Sequence, residues 1–242
     1  LYSSELDEHS PRRLALMSEL GEAVRSDQLC LHFQPQLELK SRNITGYEAL
    51  VRWQHPTQGL IPPGQFIHLA EMGDLIRPLT LWVLDNALAQ WRRWQDQGHD
   101  YKVAVNLSTR NLMDEGCPAQ VKAMLEKHGA PAQSLELEIT ESALIADPDR
   151  AMDSLQQIHD FGVMLSIDDF GTGYSSLSYL KELPIDRLKI DMSFVRNMTK
   201  DKRDEMIINS TIHLAHNLGL SVVAEGVEDQ QSLQSLKNMQ LK

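Results

Sequence analysis

The stretch SIDDFGTGYSS, residues 166–176, ends an apolar run on two adjacent carboxylates, Asp168 and Asp169, and leads straight into Gly-Thr-Gly. Adjacent like charges beside a packed core are destabilising unless positive charge lies between them or each points elsewhere. Comparable residues stand near the C-terminal ends of other β-like runs: Glu48, Asn106, Glu138, Lys189 and Glu225. Together these are five carboxylates, one amide and one ammonium, drawn from six runs. Five carboxylates converging on one Lys cannot all stay ionised without cations. Carboxylate and amide oxygens are hard ligands that suit Mg²⁺ or Mn²⁺, whereas zinc prefers His and Cys. The expected neighbours of Asp168 and Asp169 are therefore metal ions, with Asp168 bridging two. On this pattern alone, metal-assisted hydrolysis and an enolase-type barrel lyase with a Lys base both remain open.

The elements that position these residues follow from periodicity. β-like runs occur at LCLHFQP, ITGYEALVRW, KVAVNLS, LELEIT, VMLSIDD, RLKID and SVVAEG. Helix-period segments lie between most of them, at 65–72, 79–97, 119–128, 149–161 and 204–218, and another begins near Asp229. Residues 10–26 read as an amphipathic helix with Ser10 as cap and Pro11 in its first turn. Strand–helix alternation of this kind gives a mostly parallel sheet covered by helices.

An open doubly wound sheet and a barrel both fit that alternation, and the polar pattern favours the barrel. Strands covered on both faces by helices should be almost continuously apolar. Here LELEIT sets Leu135, Leu137 and Ile139 opposite Glu136, Glu138 and Thr140, and RLKID sets Leu188 and Ile190 opposite Arg187, Lys189 and Asp191. One face packs on helices and the other forms a polar interior, as in a barrel with its active site at the C-terminal mouth. Seven strands can be counted, so an eight-stranded barrel lacks its last strand in this chain.

Composition narrows the function. The chain has 242 residues, 42% of them apolar, and no apolar run approaches the roughly 20 residues of a membrane span. A net charge of −11 argues against a protein that grips long nucleic acid, but not against a small phosphate ligand held through cations. Two cysteines, Cys30 and Cys117, are too few and too far apart for a disulfide framework, so a cytoplasmic setting is expected for this domain even within a membrane-anchored protein. Leu1-Tyr2-Ser3-Ser4-Glu5 has no features of a signal peptide, and the lack of an initiating Met reads as a segment of a longer protein. Other candidates carry less. His213 and His216 share a helix face without a nearby carboxylate or Cys, and WRRW (91–94) reads as a helix whose arginines reach out to solvent. FGTG lacks the third glycine of a dinucleotide fingerprint, and its glycines are expected at positive φ.

YEALVRW (47–53), VNLS (105–108), LEITES (137–142), IDDFGTGYSSLSYL (167–180), LKID (188–191) and VAEGVE (223–228) together resemble the EAL family of cyclic di-GMP phosphodiesterases, over roughly residues 28–242. The resemblance implies a modified TIM (β/α)8 barrel with an antiparallel first strand, hydrolysing cyclic di-GMP to linear pGpG with two Mg²⁺ or Mn²⁺ ions. It implies a metal shell of Glu48, Asn106, Glu138, Asp168, Asp169 and Glu225, with Lys189 orienting and polarising the attacking water. Lys189, Glu225 and Glu48 are implied as the catalytic residues, and a further role of Glu225 as general base stays open. Gln34, Arg52, Asp191 and Glu228 are implied as substrate contacts, Arg52 on a phosphate and Glu228 on a guanine edge. Glu141 is implied to fasten the loop after Asp169. Residues 1–26 resemble the linker to an upstream sensory or diguanylate-cyclase-like (GGDEF) module, leaving 27–242 as a C-terminally incomplete EAL domain. A homodimer is also implied, and a receptor that binds cyclic di-GMP without hydrolysing it is the alternative.

Overall fold

The computed structural model describes residues 5–144, 147–173 and 180–239, with the backbone alone described for 5–13, 142 and 144. Strand β1 (Leu29–Leu37) pairs antiparallel with β2 (Ile44–His55), and the short β3 (Gly59–Ile61) folds back on the end of β2. From β2 onward every step is parallel: β4 (Lys102–Asn106), β5 (Leu135–Thr140), β6 (Met164–Phe170), β7 (Arg187–Ile190) and β8 (Ser221–Ala224). The sheet order is β1-β2-β4-β5-β6-β7-β8, with β1 and β8 at its two ends. The antiparallel first strand and the curled parallel sheet are those of a modified TIM barrel. The seven strands legible in the sequence form this path, and β3 is an eighth that three residues made too short to see.

Helices follow the strands. α1 (Glu5–Ala23) precedes the sheet and buries Leu20 and Ala23, α2 (Pro63–Met72) and α3 (Ile76–Asp96) join β3 to β4, and α4 (Thr109–Leu112) and α5 (Cys117–His128) join β4 to β5. α6 (Pro148–Asp160) leads to β6, while α7 (Met192–Asn197) and α8 (Lys202–Asn217) lie between β7 and β8, and α9 (Gln230–Asn238) follows β8. Short polar residues start them. Ser108, Asp147, Asp191, Asp201 and Asp229 each accept a hydrogen bond from a first-turn backbone N–H, satisfying donors that the helix itself leaves open.

The alternation inferred from sequence is visible in the packing. Val103, Val105, Leu135, Leu137, Ile139, Leu165, Ile167, Leu188 and Ile190 are buried in the hydrophobic core. Glu136, Glu138, Ser166 and Lys189 are equally buried, in the barrel interior. Such interior charges persist only if paired or ligated. In α3, Trp91 is buried while Arg92 and Arg93 are exposed. Both cysteines are free thiols, Cys117 buried and Cys30 only half-buried.

Candidate active site

Lys189 organises the mouth of the barrel. Its side chain is 1% exposed, and its Nζ lies 2.7 Å from Glu138 Oε2, 2.7 Å from Glu225 Oε1, 3.1 Å from Asp168 Oδ1 and 3.5 Å from Glu48 Oε2. Asn106 Nδ2 donates to Glu48 Oε1 at 2.9 Å, adding β4 to the ring. Residues drawn from β2, β4, β5, β6, β7 and the end of β8 thus meet around one ammonium. The parallel register produces this convergence. Asn106 faces Glu138, Glu138 faces Ser166, and Thr140 faces Asp168, so side chains at matching depth share the interior face.

Asp168 and Asp169 are reconciled by a bulge. In a regular strand, successive side chains point to opposite faces. Between Ile167 and Phe170 the pairing of β6 with β7 shifts register, and Asp169 takes φ = 54°, in the left-handed region. That turn brings both carboxylates to one side, where Asp168, Asp169 and Glu225 each offer an oxygen and all three oxygens lie within 4.8 Å of one another. Asp168 Oδ1 also accepts the Asp169 N–H at 3.0 Å. A non-glycine residue held in this conformation at the centre of a charged site is strain retained where it has a use.

The electrostatics follow from crowding. Burial, with Asp168 and Asp191 nearby, pushes the Asp169 carboxyl up to about 6. Burial, with Asp168 and Glu48 nearby, pushes Glu225 up to about 7 although Lys189 opposes the shift. Glu138 is raised well above the carboxylate range by burial, which outweighs the pull of Lys189. Burial alone would lower Lys189, but Glu138, Glu48, Asp168 and Glu225 outweigh it and hold the ammonium charged. The site therefore holds more negative charge than its one Lys can balance. Glu138 Oε1 is buried with no hydrogen-bond partner. An unpartnered buried carboxylate oxygen, a clustered trio and an all-oxygen donor set fit a divalent cation.

The loop after β6 is tied back by Glu141, whose Oε2 accepts the Gly171 N–H at 3.3 Å. Gly171 has φ = 97°, which an L side chain rarely adopts. Gly173 answers to space instead of φ: a Cβ there would stand 2.9 Å from Glu141 Cδ and Oε1. Residues 174–179 of the YSSLSYL motif lie outside the described residues.

The four sequence-inferred substrate contacts are less closely grouped. Gln34 sits opposite Glu48 in the β1–β2 register. Gln34 and Glu228 line an open cleft of about 670 Å³ together with Glu48, Lys189 and Glu225. Arg196 donates twice to Glu228 Oε1, from Nε at 3.1 Å and from Nη2 at 2.5 Å. Arg52 stands four residues beyond Glu48, outside that lining, and donates to the Val51 carbonyl at 2.9 Å. Asp191 caps α7 through the Ser193 N–H at 2.9 Å and shares a hydrogen bond with Asp169; burial raises its carboxyl, but the hydrogen bonds from Ser193, Asp169 and the Met192 N–H together hold it below the usual range.

A second interior pair lies deeper in the barrel. Arg187 Nη1 lies 2.6 Å from Glu136 Oε2, one strand repeat below Lys189 and Glu138. Its signal was the same alternation that exposed Lys189, but at that depth nothing marked it as more than a strand residue.

An α/β barrel with a carboxylate-lined, cation-suited mouth is the class these features define. The chain belongs to the EAL domain family, whose model matches residues 17–242. It is similar to the cyclic di-GMP phosphodiesterase NbdA of Pseudomonas aeruginosa, 45% identical over 98% of this chain and 30% of NbdA. It is also similar to the bifunctional diguanylate cyclase/cyclic di-GMP phosphodiesterase MucR of the same organism, 43% identical over 94% of this chain and 33% of MucR. Among solved structures, the PaMucR phosphodiesterase in complex with c-di-GMP superposes with a TM-score of 0.89 at 43% identity, covering 93% of this chain and 92% of that one. The chain spans about a third of the length of these curated relatives.

Proposed function

We propose that this chain is a phosphodiesterase that hydrolyses cyclic di-GMP to linear pGpG with two divalent cations, Mg²⁺ or Mn²⁺. The observation that carries the reading is the meeting of Glu48, Glu138, Asp168 and Glu225 around the Lys189 ammonium at the barrel mouth. Its support from relatives is the similarity to proteins named for that activity.

Glu48, Asn106, Glu138, Asp168, Asp169 and Glu225 would hold the cations. Bound there, such ions would supply acidification of a water and neutralisation of charge on the phosphate and the leaving oxygen. The remaining work falls to side chains. Lys189 directs the attacking water and offers positive charge where negative charge develops on phosphorus-bound oxygen. One P–O bond forms to that water as the bond to the 3′-oxygen breaks. Glu225, beside Lys189, is placed to accept the proton of the attacking water, with Glu48 on the other side of Lys189 as the alternative. Gln34 and Glu228 hold the ligand in the cleft, Glu228 on a guanine edge, while Arg52 takes a phosphate and Asp191 a further contact. Glu141 fixes the loop that begins at Asp169.

The same reading takes the domain as cytoplasmic and homodimeric, joined through its N-terminal helix to an upstream sensory or GGDEF-like module. Among the described residues, no helix is long and apolar enough to cross a membrane. Glu48→Ala and Asp168→Ala test the assignment directly. Each should abolish hydrolysis of cyclic di-GMP, Asp168→Ala the more completely. Substantial turnover by Asp168→Ala in millimolar Mg²⁺ overturns the two-cation reading. Undiminished binding without turnover in the wild type makes the domain a receptor instead.

A further inference from the structure

The barrel interior carries two tiers of charge on the same two strands. Glu136 and Glu138 alternate along β5, and Arg187 and Lys189 alternate along β7, with β6 between them. In the upper tier Lys189 meets Glu138 at 2.7 Å, and in the lower tier Arg187 meets Glu136 at 2.6 Å. Successive same-face residues on a strand are about 6.6 Å apart, within the span of a Lys side chain. Glu136 is 1% exposed, and its Oε1 is buried with no hydrogen-bond partner, as is the Ser166 hydroxyl close by on β6. Arg187 also donates to Gln36 Oε1 at 3.4 Å and to Ser221 Oγ at 3.1 Å, so its guanidinium is fixed from β1, β5 and β8 at once.

We infer that Arg187 is a positioning residue for the reaction: by occupying Glu136 it denies Lys189 a competing carboxylate below and so keeps the Lys189 ammonium among Glu48, Glu138, Asp168 and Glu225. The inference rests on the proposed role of Lys189. A buried anion with one oxygen unsatisfied attracts whatever cation can reach it. Without Arg187 two described cations line the same cleft: Lys102, whose Nζ is held 2.9 Å from Met164 Sδ, and Lys189, the next residue on the same face of β7. A fork donor fixed at three points is the right device for holding the lower carboxylate, because its planar geometry leaves little freedom to let go. Two consequences follow for Arg187→Met. Lys189 withdraws from the water it directs, so turnover falls while substrate contacts in the cleft remain. The upper carboxylates also lose their internal counterion, so they bind a divalent cation more tightly.

The decisive comparison is Arg187→Met against the double variant Arg187→Met/Glu136→Gln, in which the competing charge is gone as well. Three quantities are read: kcat and KM for cyclic di-GMP in Mg²⁺, Mn²⁺ affinity by calorimetry without substrate, and thermal melting. Arg187→Met should lower kcat about tenfold or more with little change in KM, and should tighten Mn²⁺ binding. The double variant should recover most of the lost kcat and return Mn²⁺ affinity toward wild type. Arg187→Lys, which keeps a cation on Glu136, should lie between them. Should Arg187→Met fail to fold, a folded and active double variant still identifies the Glu136 charge as the damaging element. A double variant that does not regain kcat overturns the proposal, whatever its melting temperature. If the wild type itself shows no turnover, the phosphodiesterase reading fails, and the Mn²⁺ affinities of the single and double variants decide this inference alone.

Discussion

Replacing Lys189 by Met removes the only positive charge that the described structure places among Glu48, Glu138, Asp168 and Glu225. Met keeps most of the side-chain volume, so the change is mainly electrostatic. Removing one partner from a buried ion pair costs about 3–5 kcal/mol, because the remaining charge is left uncompensated. In a domain of this size, 1 kcal/mol corresponds to about 2–4 °C in melting temperature, which puts the metal-free variant roughly 6–20 °C below wild type at pH 8. The sign of the pH dependence is fixed. Carboxyl groups whose folded pKa is raised, such as Glu225 near 7 and Asp169 near 6, contribute stability at acid pH and lose it as pH rises through those values. The deficit of Lys189→Met should therefore shrink at pH 5.5. A divalent cation supplies the missing charge, and saturation at a hundredfold over Kd is worth about 2.7 kcal/mol. Differential scanning fluorimetry with and without Mn²⁺, at both pH values, reads all of this. The Mn²⁺ increment should be larger in the variant than in the wild type, where the cation competes with the ammonium. A metal-free variant that melts with the wild type at pH 8, or gains no more from Mn²⁺, refutes the view of Lys189 as an internal counterion.

Other outcomes follow from the same site. Cation ligands must be deprotonated, so Mn²⁺ affinity should climb between about pH 5.5 and 8 as Asp169 and Glu225 ionise, with protons released on binding; a flat profile by calorimetry in two buffers rejects those assignments. Glu141→Ala should cut activity about 10–100-fold with partial rescue by high Mg²⁺ and nearly normal melting, whereas a large drop in melting makes Glu141 a structural residue. Gly173→Ala should mimic it, since its Cβ would collide with the Glu141 carboxylate, and normal kinetics for that variant removes the loop from the account. Asp169→Asn should melt at or above wild type while losing activity, because Asn tolerates positive φ and relieves like-charge crowding; a lower melting temperature would mean that the charge itself stabilises the fold.

Much of this fold was legible because each strand advertises two faces. LELEIT and RLKID state their buried and interior sides outright. The strand β3 was not legible, since three residues carry no period. Nor was the bulge at Asp168–Asp169, for a period of two places neighbours on opposite faces and only backbone geometry reverses it. The sequence pointed to cations as what makes those carboxylates tolerable. One Lys among those carboxylates was legible too; the structure supplies the Lys189 contacts themselves, a meeting of five elements that no local pattern encodes. Arg187 and Glu136 had the right spacing but stood one repeat deeper, where depth along the barrel axis separates the lower pair from the mouth. The placement of Arg52 outside the cleft is likewise set by how far β2 runs past Glu48 before it turns into β3.

The central claim is that this carboxylate-lined mouth opens one phosphodiester bond of cyclic di-GMP with the help of divalent cations. Its most direct test is product analysis by chromatography and mass spectrometry, after incubating the purified chain with cyclic di-GMP in EDTA and then in Mg²⁺ or Mn²⁺. Intact substrate is expected in EDTA, and linear pGpG as the accumulating product once either ion is restored. Substrate left intact at saturating Mg²⁺ and Mn²⁺, or turnover undiminished by EDTA, contradicts that claim.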